Sequence, residues 1–85
     1  ACDTATGETR RFLTGPTNCE VTGVAFTPDS TTMFVSIQHP GETPSDRSDP
    51  ANPTQYSNWP DYAPNGRPRS SLVAIRKMDG GIIGS

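Results

Sequence analysis

With 85 residues, seven Lys and Arg against nine Asp and Glu, and a net charge of −2, the chain has room for one small domain. It carries no cationic run that would track a nucleic-acid backbone. Leu, Ile, Val and Phe supply 13 residues, about 15% of the chain, which is little core for a domain already near the lower size limit.

The first segment begins polar and leads into Gly7-Glu8-Thr9-Arg10-Arg11-Phe12-Leu13-Thr14. Glu8, Arg10 and Phe12 alternate with Thr9, Arg11 and Leu13, which predicts a short, mostly polar strand over 8–14. Gly15-Pro16 ends it, and a flexible terminal arm is the alternative reading. Next come the runs 20–27 and 33–38, rich in β-branched residues and separated by Pro28-Asp29-Ser30. Pro28 supplies the fixed φ of a turn, and Asp29 and Ser30 bring side-chain oxygens for its backbone. Strict alternation places Glu20, Thr22, Val24 and Phe26 on one face and Val21, Gly23, Ala25 and Thr27 on the other. Apolar residues thus fall on both faces, as in strands sandwiched between two layers. Gly23 inside such a run signals a bulge or a close approach by another backbone.

An irregular loop follows over 38–70, holding seven of the nine prolines and only Ala51, Tyr56, Trp59, Tyr62 and Ala63 as apolar residues. A loop this long is usually functional or disordered. Residues 71–77 read as a return strand. The Met78-Asp79-Gly80-Gly81 turn then points to a fourth strand beginning at Ile82-Ile83. The fold class is all-β, with antiparallel strands forming a partial β-propeller of about one to two blades and a long Pro-rich loop. A propeller needs more chain than this, so the sequence reads as a single fragment of a larger one. Its partners would be the rest of that propeller or, through open strand edges, another copy of itself.

No segment approaches the ~20 apolar residues of a membrane span. No charged start followed by an apolar run suggests a signal peptide. Cys2 and Cys19 fit either a disulfide or two thiols, and one histidine without a Cys-x-x-Cys argues against a Cys/His zinc site.

Among residues able to carry chemistry, Glu20 comes first. It starts a buried-looking strand, where a carboxylate is costly unless paired or bound to a metal, and strand ends facing a propeller channel suit such a ligand. A solvated strand-end glutamate is the alternative. His39, in Gln38-His39-Pro40-Gly41, suits a metal or phosphate contact, or a plain loop hydrogen bond. Gln38 reads most simply as a polar strand end. Glu42, Asp46, Asp49 and Asp61 carry oxygens suited to calcium, without the spacing of a calcium loop. Arg47-x-x-Pro50-x-x-Pro53 formally matches a proline-rich peptide ligand. Pro53 blocks glycosylation in Asn52-Pro53-Thr54. No complete catalytic set is present. A free-standing domain that binds peptide or carbohydrate through Tyr56, Trp59 and Tyr62 is a further alternative.

Several segments resemble the C-terminal region of the PhoX-type alkaline phosphatases. They are Gly7 to Pro16, Cys19-Glu20-Val21-Thr22-Gly23, Phe26-Thr27-Pro28-Asp29, Met33 to Glu42, Ser57-Asn58-Trp59-Pro60, Arg67-Pro68-Arg69-Ser70, Ala74-Ile75-Arg76-Lys77 and Gly80-Gly81. The resemblance implies exported bacterial enzymes, periplasmic or secreted, that fold as a β-propeller. It implies hydrolysis of phosphate monoesters with calcium and iron held in the central channel. It makes Glu20 a metal ligand and places Gln38 and His39 in a loop at the active site. It also implies that this piece is inactive alone and binds no metal by itself. A non-catalytic propeller segment of a secreted binding or scaffold protein is the alternative.

Overall fold

The computed structural model describes residues 1–43, 49–64 and 66–85. Three strands form where the β-branched runs lie: β1 (Glu20–Phe26), β2 (Thr32–Gln38) and β3 (Ser71–Arg76). They pair antiparallel in the order β1-β2-β3, one open sheet with β2 in the centre. No helix occurs among the described residues.

The β1–β2 turn is built by Asp29. Its Oδ1 accepts hydrogen bonds from Thr27 Oγ1 (2.7 Å), Thr31 Oγ1 (2.8 Å) and the Thr31 N–H (3.1 Å). The Thr27 hydroxyl contact above all, with the Thr31 contacts, holds the Asp29 carboxyl below the usual carboxylate range. The Ser30 N–H closes the turn onto the Thr27 carbonyl (2.8 Å), with Ser30 at φ 58°. The turn thus uses the Asp29 side chain and the Ser30 backbone.

Gly23 is a bulge. The register runs Thr22↔Ser36 and then Val24↔Val35, so one extra residue sits on β1. Gly23 adopts φ 58°, and a Cβ built on it would meet nothing within 4 Å. It therefore serves the bulge, and no backbone crowds it. The bulge corrects the strict alternation read from sequence. Val21, Val24 and Phe26 now pair with Ile37, Val35 and Met33 and share their face. Glu20, Thr22 and Ala25 pair with Gln38, Ser36 and Phe34 on the opposite face. Glu20 is thereby separated from the apolar row it was expected to join.

The core is small and lies on one face. Met33, Val35 and Ile37, at 7%, 5% and 3% exposure, are its buried hydrophobic residues. The segment from Gly15 to Cys19 lies over the Ile37 end, where a Cβ on Gly15 would reach Val21 Cγ2 at 3.1 Å. The other face is more open, with Leu72 on it 68% exposed and Phe34 and Ser36 at its centre half-buried. The sandwich expected from apolar residues on both faces is therefore half built here.

Two further expectations change. Residues 8–14 form no strand, and Thr9 makes only an isolated bridge to Cys2. The local turn chemistry of Asp3 prevails over a weak apolar alternation. Asp3 Oδ1 accepts from the Ala5 and Thr6 N–H groups, and the Asp3 N–H donates to the Glu8 carbonyl, so residues 1–10 fold onto themselves. Ile82 and Ile83 start no fourth strand. The Ile83 N–H instead donates to the Ser30 carbonyl (2.9 Å), which returns the chain to the β1–β2 turn.

In the loop, Arg69 and Asp61 form a two-point ion pair, Nε to Oδ2 at 2.8 Å and Nη2 to Oδ1 at 2.9 Å. That hydrogen bond lowers the Asp61 carboxyl and raises the Arg69 guanidinium relative to their ordinary values. Asp79 is also lowered, first by the Gly81 N–H and then by the Lys77 charge.

Candidate functional site

The sheet ends in a polar corner where three parts of the chain meet. β1 begins at Glu20, opposite Gln38, the last residue of β2. β2 runs out into His39, which has φ 34°. Histidine is among the side chains that tolerate this left-handed region. The His39 N–H donates to Ser70 Oγ (3.0 Å), tying the corner to the residue before β3. The Glu42 N–H returns to the His39 carbonyl (3.1 Å), and the Gly41 N–H donates to the Thr17 carbonyl (2.8 Å). Gly41 has φ 79°, and a Cβ there would lie 2.9 Å from Ser57 Cβ, so a side chain has no room.

The turn aims the imidazole between two carboxylates. His39 Nε2 lies 3.2 Å from Glu20 Oε2, and Nδ1 lies 2.7 Å from Glu42 Oε2. Both nitrogens can donate at once only in the imidazolium form. Glu20 and His39 side chains are 59% and 44% exposed, so the arrangement contributes geometry more than stability. Beside the corner is an open cleft of about 270 Å³, lined among others by His39, Glu42, Asp49, Tyr56, Ser57 and Arg67.

The structure thus brings Glu20 and His39 together, with Gln38 directly across from Glu20. Of the loop carboxylates, Glu42 joins the corner, Asp49 lines the cleft, and Asp61 is taken by Arg69. Asp46 and Arg47 lie outside the described residues. Of the three aromatics, Tyr56 lines the cleft, while Trp59 and Tyr62 are not among its lining residues. Cys2 and Cys19 are free thiols.

Sequence reasoning named Glu42 only as a loop carboxylate suited to calcium, without its contact to His39, and missed Ser70. Glu42 is three residues from His39 across a Pro-Gly turn, a spacing that would have suggested the contact. Ser70 is 31 residues from His39 and carries no such signal.

A metal ion is tested by the donor set. Among the described residues no group of three or more His, Cys, Asp and Glu side chains could hold one. A single carboxylate such as Glu20 suits a hard cation, but calcium takes about 6–8 oxygens, so other ligands would have to come from outside the described residues. Nor is any helix of the described residues long and apolar enough to cross a membrane.

The fold and this corner define a β-sheet segment that gathers ionisable side chains at one end. Comparison with known proteins gives the family. The model for alkaline phosphatase PhoX matches residues 1–41. A solved structure, Pseudomonas fluorescens PhoX in complex with vanadate, a transition state analogue, is 52% identical with a TM-score of 0.76. The match covers 98% of this chain and 12% of that one, so the chain spans about an eighth of the solved protein's length. No curated protein matches the chain. The chain belongs to the PhoX alkaline phosphatase family, as a segment of such a protein.

Proposed function

We propose that the chain is the C-terminal β-propeller segment of a PhoX-like, metal-dependent phosphatase that hydrolyses phosphate monoesters. The observation that carries this reading is the match, 52% identical over 98% of the chain, to a PhoX solved with vanadate. Vanadate stands in for a phosphoryl group in transfer, so that relative binds such a group. The open sheet supports a propeller origin: among the described residues both outer strand edges are unpaired, and the buried hydrophobic core is three side chains.

In this reading Glu20 supplies one carboxylate to a cation of the calcium and iron set, and does not itself attack phosphorus. Bound cations would neutralise charge on the transferring phosphoryl group and orient the nucleophile. Gln38 and His39 stand beside Glu20 at the end of β2, within reach of the same site. In this reading most of the remaining ligands lie in other parts of the parent protein, and the segment alone is inactive. The whole protein is periplasmic or secreted.

The test is hydrolysis of a simple phosphomonoester by the full-length protein, with and without calcium and iron, for wild type and Glu20→Gln. The expected outcome is activity that requires metal and collapses in the variant. Full activity in the variant would make Glu20 structural. No activity in the metal-loaded wild type would mark a non-catalytic propeller.

A further inference from the structure

Resting on the reading of Glu20 as a ligand, we propose that His39 is a positioning residue: braced by Glu42, it fixes the Glu20 carboxylate and leaves Oε1 for a hard divalent cation.

Glu20 is a long, exposed side chain at a strand end, with rotamer freedom to lose on being fixed. His39 Nε2 holds its Oε2 at 3.2 Å, and Oε1 has no partner among the described residues. The imidazole is itself immobilised. Glu42 holds Nδ1 at 2.7 Å, Ser70 Oγ holds the backbone N–H at 3.0 Å, and the Gly41 N–H ties the turn to Thr17. His39 is a poor ligand in this geometry, because both ring nitrogens are already engaged by carboxylates. Its position instead matches that of an outer partner, which orients a carboxylate ligand without touching the ion. A carboxylate oxygen selects a hard cation such as calcium over a soft one.

The experiment is calcium titration of the full-length protein by competition with a chromogenic chelator. Thermal unfolding of the metal-free protein is measured in parallel, for wild type, Glu20→Gln, His39→Ala, His39→Gln and Glu42→Gln. Loss of an outer partner typically weakens metal affinity about 10–100-fold, and that is expected for His39→Ala. His39→Gln should recover part of it, since a carboxamide N–H can replace Nε2–H. Glu42→Gln should weaken binding less than His39→Ala. The metal-free melting temperature should stay near wild type in all four.

If Glu20→Gln weakens calcium binding and His39→Ala does not, the positioning role is wrong while the ligand reading stands. If Glu20→Gln leaves binding unchanged, the ligand reading fails and the positioning role with it. The same follows if wild type binds no calcium. A lowered melting temperature in His39→Ala with unchanged affinity would make His39 a structural residue.

Discussion

β1 and β2 carry rows of similar apolar character on one face of the sheet, and they bury them very differently. Met33, Val35 and Ile37 on β2 are nearly inaccessible, whereas their partners Phe26, Val24 and Val21 on β1 are 50%, 65% and 47% exposed. The side chains are comparable, so the difference comes from position. Among the described residues β2 has a strand on each side, while β1 has one neighbour and an open edge. Burial in this segment is therefore set by what lies beside a strand more than by what the strand is made of, as expected of a piece cut from a larger sheet assembly.

The largest effect should come from breaking the central row. Ile37→Ala removes a fully packed side chain, a change that typically costs about 2–5 kcal/mol. So small a core cannot absorb that loss, and amide hydrogen exchange along β2 of the 85-residue chain should become unprotected. Val24→Ala, in the exposed row, should change the same protection by less than about 1 kcal/mol. Equal losses in the two variants would show that β1 is covered in solution, by a second copy for example. Running both variants at two chain concentrations separates that case.

A smaller effect is expected at the bulge. Gly23→Ala meets no atom within 4 Å, so its cost is confined to the left-handed backbone, about 1–2 kcal/mol. Exchange protection should fall around Gly23 on β1 and hold in the centre of β2. Loss throughout the sheet would mean that the bulge governs both rows.

The smallest is electrostatic and lies outside the sheet. Arg69 lowers the Asp61 carboxyl in the folded chain, so the unfolded chain binds a proton more readily in acid. The pair's contribution is present above the unfolded carboxylate value of about 3.9 and disappears as pH falls through the lower folded value. Protection factors of the loop amides around Asp61 and Arg69, taken relative to the intrinsic exchange rate at each pH, should fall along that acid limb, and Asp61→Asn should flatten the fall. The exposed pair should leave β2 unchanged. A matching response in β2 would couple loop and sheet more tightly than the contacts show.

The β-sheet was legible because its signals are local: β-branched runs, a Pro-Asp turn and a glycine inside a strand. The face assignment was not legible. A bulge moves Val24 and Phe26 to the other side, and Gly23 announces a bulge without saying how pairing resumes beyond it. The alternation at 8–14 misled because apolar content too low to hold a strand lost to Asp3 and its hydrogen bonds. Glu20 and His39 stood out as single residues, but their contact depends on β1–β2 register, and Ser70 arrives only when β3 closes the sheet.

The extra residue at Gly23 gives β1 a length tolerance that β2 lacks. A chain without Gly23 would pair Thr22 with Ser36 and Val24 with Val35 in unbroken sequence, leaving every β1 side chain on its present side. A one-residue deletion, ordinarily enough to turn part of a strand inside out, is here a spelling variant of the same sheet. Removal of any single residue inside β2 would set part of its buried row against solvent.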